Sequence, residues 1–228
     1  MMNAQHWLGL DPGHLVTVAG NAPHRLMAAA ADAFCAMQQA ARADGIDLAL
    51  ASSYRDFARQ QLIWNGKFTG QRSVHDDAGQ PVDVLRLDAP ARLQAILRWS
   101  ALPGTSRHHW GTDMDVYAPD LLPEGTSLQL EPWEYAATGW FGPLTAWLDS
   151  HMQRFGFYRP FATDRGGVAC EPWHLSYYPL ADQIADELHY SALYACLQAQ
   201  SELAGRDDVL TELPHLWQRY FQPVRHHG

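Results

Sequence analysis

The most informative segment of the sequence runs from Ser106 to Asp115 and reads Ser-Arg-His-His-Trp-Gly-Thr-Asp-Met-Asp. It places two adjacent imidazoles a few residues before two carboxylates. Residues 112–117 alternate between polar and apolar side chains, which predicts a β-strand. On that strand one face carries Asp113, Asp115 and Tyr117, and the other carries Thr112, Met114 and Val116. The stretch therefore predicts a short strand that brings carboxylates beside histidines.

A second polar group, Glu171-Pro172-Trp173-His174, follows further along the chain. Two histidines and a carboxylate form a ligand set that catalytic Zn²⁺ uses, with a fourth position left for water. Such a site also needs a carboxylate that takes the proton from that water. In a strand, Glu171 and His174 would point to opposite faces, and Pro172 is the residue able to introduce a kink.

These residues do not by themselves require a metal. A single histidine is more often a satisfied core or surface residue than a ligand, and the chain has 12 histidines. The segment Glu131-Pro132-Trp133-Glu134 repeats the Glu-Pro-Trp pattern without a histidine. Residue chemistry alone therefore leaves the metal site open.

Composition narrows the class of protein. The 228 residues predict one domain over residues 1–228, and a 47% hydrophobic content argues against intrinsic disorder. A net charge of −9 disfavours a nucleic-acid partner, and no apolar run reaches the roughly 18 to 20 residues of a membrane span. The three cysteines are far apart, and the first 20 residues lack a signal-peptide pattern, so we expect the cytoplasm as the location.

Periodicity predicts an α+β fold, in which a small antiparallel sheet is flanked by N- and C-terminal helices. The strands are expected at 46–51 and 112–117 and in a hairpin formed by 156–163 and 168–177. Helices are expected from Asn21 to Gly45, at 56–64, 88–99 and 143–154, and beyond Pro179 to Tyr220, with a break near Gly205. Residues 181–222 would then form a C-terminal helical extension.

Three motifs in this order resemble the zinc D-alanyl-D-alanine carboxypeptidases of the VanY type, in the group that includes lysostaphin-like peptidases and hedgehog domains. They are Ser52-x-Tyr54-Arg55 with Gln60, then Ser106-x-His108-x-x-Gly111-x-x-x-Asp115, then Glu171-x-Trp173-His174. The resemblance covers about residues 45 to 180. It implies that the small sheet carries a zinc site.

The resemblance also implies roles for individual residues. His108, Asp115 and His174 would bind Zn²⁺, and Glu171 would be the general base. Arg55 would stabilise the tetrahedral oxyanion, because a guanidinium stays charged and offers two donors. The residues expected to contact a peptidoglycan-derived peptide are Gln60, Ser106, Trp110 and Trp173, although Gln60 and Ser106 would equally serve to tie down loops.

Two positions depart from or complicate the family pattern. Asp113 stands where the family usually has Ala, and it would either hydrogen-bond a ligand imidazole or misdirect the metal. His109 adjoins the implied ligand His108, and the motif favours His108. Members of this group are usually exported, so the periplasm or cell wall is the alternative to the cytoplasm.

The function implied by the resemblance is removal of a C-terminal D-alanine from peptidoglycan-type peptides by a metal-activated water. An L,D-carboxypeptidase or an endopeptidase acting on muropeptides is the alternative within the enzymes, because the pocket beyond the metal sets specificity. A catalytically inert, zinc-stabilised module that binds peptide or glycan is the alternative from another class. A serine hydrolase is disfavoured, because Gly104-Thr105-Ser106-Arg107-His108 lacks the final glycine of a nucleophile elbow.

Overall fold

The computed structural model describes residues 3–222 and 224–226. The strands are β1 (Leu15–Thr17), β2 (Arg25–Met27), β3 (Ala49–Ser52), β4 (Asp113–Tyr117), β5 (Phe157–Tyr158) and β6 (His174–Tyr177). The helices are α1 (Ala4–Trp7), α2 (Ala28–Ala43), α3 (Phe57–Phe68), α4 (Ala89–Leu97), α5 (Gly142–His151), α6 (Tyr178–Asp186), α7 (Tyr190–Gln198) and α8 (Arg206–Tyr220). Short 3₁₀ helices lie between them, among them Arg107–Trp110 and Pro132–Tyr135.

The main sheet has four antiparallel strands in the order β3-β4-β6-β5, and β1 and β2 form a separate two-stranded ladder. In the two central strands Asp115 lies opposite His174, and Ser52 of β3 lies on the other side of Asp115. The α+β class predicted from the sequence is therefore confirmed, and the sheet places two implied ligands side by side.

Two clusters of buried apolar side chains hold the fold together. The first packs α2 and α5 against the sheet, with Phe34, Met114, Leu144 and Leu175 almost fully buried. The second joins the polypeptide around α3 and α4 to the C-terminal helices, and its members include Trp7, Trp64, Ile96, Leu193, Val209 and Leu213. The C-terminal helices are thus part of the core.

The structure corrects several predicted boundaries. The first long helix begins at Ala28 and not near Asn21, because residues 25–27 pair with β1 and the Met27 amide donates to the Gly111 carbonyl (2.8 Å). Helix α3 continues past Trp64 to Phe68. The C-terminal helical segment is broken at residues 187–189 as well as before Arg206.

The predicted hairpin is much shorter than expected. Only Phe157 and Tyr158 pair with β6, and residues 159–173 form no ladder. Their backbone groups bond elsewhere: the Ala169 amide donates to the Arg98 carbonyl (2.9 Å) and the Glu171 amide to the Phe161 carbonyl (3.1 Å). Within the described residues, none of the helices combines the length and apolar character needed to cross a bilayer.

Candidate metal and catalytic site

Three buried side chains converge where β4 and β6 meet the 3₁₀ helix Arg107–Trp110. His108 Nε2 lies 3.3 Å from Asp115 Oδ2, and His174 Nδ1 lies 3.2 Å from Asp115 Oδ1. The ligand atoms of His108, Asp115 and His174 all lie within 4.8 Å of one another. The structure thus brings together the three residues that the resemblance implies as zinc ligands.

Gly111 makes this convergence possible. It ends the 3₁₀ helix at φ = 75°, the left-handed region that glycine occupies at low cost, and so turns the chain from His108 into β4. A Cβ at this position would lie 2.3 Å from Leu15 Cδ2 and 3.3 Å from the Met27 amide nitrogen. Gly111 therefore serves both the turn and the close approach of the β1-β2 ladder.

His108 and His174 each have their second ring nitrogen held by a hydrogen bond. His108 Nδ1 lies 2.9 Å from the Ser53 carbonyl oxygen, which leaves Nε2 facing Asp115. His174 Nε2 lies 2.9 Å from Asp113 Oδ1, which leaves Nδ1 facing Asp115. Such hydrogen bonds fix the orientation of metal-binding imidazoles.

The neighbouring His109 is used differently. Its Nδ1 lies 2.6 Å from the Arg55 carbonyl oxygen, and its Nε2 accepts the Gly104 amide at 3.0 Å. Burial lowers the pKa of His109 to about 3, so its imidazole is neutral near pH 7. Both nitrogens of His109 are therefore occupied by the backbone, and His108 is the histidine that faces the other ligand atoms.

Asp113 is part of a fully buried network behind His174. Its carboxylate accepts hydrogen bonds from Arg107 Nε (2.7 Å), Thr112 Oγ1 (2.6 Å) and Ser176 Oγ (3.1 Å) in addition to the His174 contact. Burial alone would raise the pKa of Asp113, but Arg107 and His174 outweigh it and lower the pKa to about 2. Asp113 thus holds an imidazole in place.

Glu171 reaches the same site through a tight turn. The His174 amide donates to the Glu171 carbonyl (3.2 Å), so residues 171–174 fold back instead of continuing β6. Glu171 Oε2 consequently lies 3.5 Å from His174 Nδ1. Burial raises the pKa of Glu171 to about 7; His174 opposes this rise and the Asp115 carboxylate adds to it. A turn at Pro172 therefore overcomes the odd spacing noted in the sequence.

Arg55 presents a positive charge that no carboxylate neutralises directly. Its guanidinium donates to Gln60 Oε1 (2.9 Å) and Ser52 Oγ (3.2 Å), both uncharged. Within the described residues, no carboxylate oxygen lies within 4.0 Å of it. Gln60 is fully buried and also donates to the Ala101 carbonyl (2.7 Å), so both ends of its amide are occupied in holding Arg55.

These groups open into a cavity of about 620 Å³. Of the residues expected to contact a peptide, Ser106, Trp110 and Trp173 line this cavity and Gln60 does not. Sequence reasoning missed Lys67 at the end of α3 and an aromatic wall contributed by α8, which includes Trp217 and Tyr220. The one sequence feature that distinguishes Lys67 is that it is the single lysine of the chain. No sequence feature indicates that the α8 aromatic residues line the cavity.

The donor set fits a zinc ion. Asp115 Oδ1 is buried and, within the part of the chain that the structure describes, accepts no hydrogen bond of good geometry, although His174 Nδ1 lies 3.2 Å away. An incompletely satisfied buried carboxylate oxygen is costly, and a cation between these three side chains would lower that cost. Two imidazole nitrogens and one carboxylate oxygen are also the donor types that Zn²⁺ prefers, with one position left for water.

Comparison with known proteins agrees with this geometry. The family model for VanY, D-alanyl-D-alanine carboxypeptidase, matches residues 23–180. An uncharacterised protein of Haemophilus influenzae is 39% identical over 121 residues, which cover 52% of this chain and 92% of that one. A D-alanyl-D-alanine carboxypeptidase of Enterococcus faecalis is 30% identical over 162 residues, which cover 70% of this chain but only 49% of that protein.

A solved structure shows the same likeness. VanYB in complex with D-alanine-D-alanine superposes with a TM-score of 0.50 at 28% identity, over 72% of this chain and 76% of that one. The family match covers more than half of the chain and contains His108, Asp115 and His174 as well as Glu171 and Arg55. The chain therefore belongs to the VanY family of D-alanyl-D-alanine carboxypeptidases.

Proposed function

We propose that this protein is a zinc-dependent carboxypeptidase that removes a C-terminal D-alanine from peptidoglycan-type peptides. The observation that carries the proposal is the convergence of His108, Asp115 and His174 within 4.8 Å, with Glu171 3.5 Å from His174 in one cavity. The family match and the E. faecalis relative support the class of substrate.

The ligand residues and Glu171 would divide the work of hydrolysis. Zinc held by His108, Asp115 and His174 would supply a Lewis acid that acidifies water and polarises a carbonyl. Glu171 would take the proton of the attacking water and deliver it to the leaving amine, because its carboxylate stands beside the ligands.

Arg55 would stabilise the negative charge that develops on the scissile carbonyl oxygen. Its guanidinium is fixed by Gln60 and Ser52, so its direction is set before substrate binds. The presence of both Glu171 and Arg55 argues against an inert binding module, since a structural zinc site needs neither a general base nor an arginine without a carboxylate partner.

The test is mass spectrometry of muropeptides incubated with the zinc-loaded protein, with pentapeptide and tetrapeptide stems offered together. We expect loss of one alanine from the pentapeptide. Loss of the terminal residue from the tetrapeptide instead would assign an L,D-carboxypeptidase, and cleavage between stems would assign an endopeptidase. No cleavage of any substrate by the zinc-bound protein would contradict a peptidase and favour the binding module.

The control is Glu171→Ala, which removes the general base but none of the metal ligands. We expect its turnover to fall at least about 100-fold, the usual contribution of general acid-base catalysis, while zinc remains bound. Metal content is measured on the same sample by atomic emission. Full turnover by zinc-bound Glu171→Ala would show that another group activates the water.

A further inference from the structure

Lys67 is a positive charge in the active-site cavity with no assigned role. It lies in the last turn of α3, is half-buried, and lines the cavity together with Arg55, Ser106 and Glu171. Among the described residues, no carboxylate oxygen lies within 4.0 Å of its ammonium, and no hydrogen bond involves it. The only lysine of the chain is thus placed where a substrate would bind and lacks a direct partner there.

The charged groups around Lys67 do not neutralise its ammonium. Glu171 and Glu131 attract the ammonium from a distance, and Arg72 and Arg55 repel it. Burial lowers the pKa of Lys67, and Glu171 opposes this shift. A half-buried ammonium without a counter-ion is unfavourable, so an anion that enters the cavity would gain from contact with it.

Helix α3 aims Lys67 at the reaction site. Gln60, which holds Arg55, and Lys67 are seven residues apart and therefore lie on the same face of the helix, about 10 Å apart along its axis. Side chains on a helix lean toward its N-terminus, so the lysine stem leans back toward Gln60 and Arg55. One helix face thus carries both Lys67 and the glutamine that holds Arg55.

Removal of a C-terminal residue requires two anionic positions close together. One is the oxyanion formed at the scissile carbonyl, and the other is the peptide's own terminal carboxylate, about 3.5 Å further along the chain. Arg55 is fixed rigidly beside the ligands and suits the oxyanion. A second cation in the same cavity would favour binding of the second anion, because a charged donor makes a stronger hydrogen bond to a carboxylate than a neutral one.

We propose that Lys67 binds the C-terminal carboxylate of the peptide and makes the site select substrates that end in a free acid. The proposal rests on the proposed function. The role of Lys67 also makes the proposed function more specific, since a site that requires a terminal carboxylate acts as a carboxypeptidase and discriminates against internal peptide bonds. Lys67 acts here as a specificity-determining residue.

The experiment compares two substrates that differ only at the terminus: one stem peptide ending in D-alanine and its D-alaninamide analogue. A hydrogen bond to a charged group corresponds to about 10- to 100-fold in affinity, so wild type should prefer the acid by that factor in kcat/KM. Lys67→Met should lose most of this preference, with the change in KM for the acid and little change for the amide. Lys67→Arg should keep part of the preference.

The matched control is Arg72→Met, which removes an exposed positive charge that is close to Lys67 but does not line the cavity. It should keep the wild-type preference. If Lys67→Met disturbs folding, as judged by its thermal midpoint, Lys67→Gln replaces it. Binding of both peptides to Glu171→Ala, with and without Lys67→Met, gives the same ratio without turnover.

The outcomes separate the two proposals. A wild-type protein that cleaves neither peptide contradicts the proposed function, and the role of Lys67 falls with it. A wild type that prefers the acid, beside a folded Lys67→Met with the same preference, overturns only the role of Lys67. Equal cleavage of acid and amide by wild type also overturns it and favours an endopeptidase.

Discussion

Asp113 shows how one substitution in a family motif is built into the site. The motif that this sequence resembles has Ala here, and an aspartate so close to the three proposed ligands has the charge to compete for a metal ion. The structure turns its carboxylate away from the ligand cluster: Arg107, Thr112 and Ser176 surround it, and it receives His174 Nε2. Asp113 therefore orients His174, and Arg107 balances the charge of the Asp113 carboxylate.

We expect Asp113→Asn to weaken zinc binding by about 10- to 100-fold, the usual effect of removing such a hydrogen-bonding partner. The amide is neutral and holds the His174 ring less firmly. The measurement is competition with a fluorescent chelator, so it does not depend on turnover. Asp120→Asn, at an exposed position, is the control and should bind zinc like wild type. Unchanged affinity in Asp113→Asn would mean that the imidazole is oriented by packing alone.

At the scale of elements, the turn at Gly111 couples the metal site to the β1-β2 ladder. A side chain there would require a left-handed backbone and would also strike Leu15. Gly125 has nearly the same φ, 76°, but nothing lies within 4 Å of where its Cβ would be. Comparing substitutions at Gly111 and Gly125 therefore distinguishes the cost of backbone strain from the cost of steric contact.

Gly111→Ala should destabilise the fold by about 2 to 4 kcal/mol, with about 1 kcal/mol from the left-handed backbone and the rest from overpacking. Gly125→Ala should cost only the backbone part, about 1 kcal/mol. Urea denaturation followed by tryptophan fluorescence measures both free energies of unfolding. Equal losses of unfolding free energy in the two variants would show that the β1-β2 ladder shifts to accommodate the methyl group without an energetic cost.

The same elements show what local sequence predicts. Alternation between polar and apolar side chains was sufficient to predict β4, and a spaced motif was sufficient to indicate three residues whose side chains converge in the structure. The strand β2 was missed, because residues 25–27 are extended only through pairing with β1 and with the Gly111 carbonyl. The short hairpin and the position of Lys67 likewise depend on contacts between distant segments, which periodicity does not record.

At the scale of the whole molecule, α8 is a structural part of the enzyme although the family match ends at residue 180. Leu213 is fully buried in the second cluster, whereas Leu62 of α3 is 62% exposed. The same Leu→Ala change at these two positions therefore measures the contribution of the C-terminal helices to the core.

We expect Leu213→Ala to lower the free energy of unfolding by about 2 to 5 kcal/mol, the usual cost of a cavity left by a buried leucine. Leu62→Ala should change it by less than about 0.5 kcal/mol, because little apolar surface is lost. Thermal and urea unfolding of both variants make the comparison. A small loss in Leu213→Ala would show that α8 is only loosely attached.

The second cluster has a consequence for the order of events during synthesis. It joins Trp7 to Leu213, so it unites side chains that lie far apart in the sequence and are added to the nascent chain at different times. At about 5 to 20 residues per second, the ribosome adds His174, the last of the three proposed zinc ligands, seconds before α8. During that interval the nascent polypeptide holds His108, Asp115 and His174 but lacks the helix that forms a wall of the cavity, so the pocket is completed only when α8 has emerged.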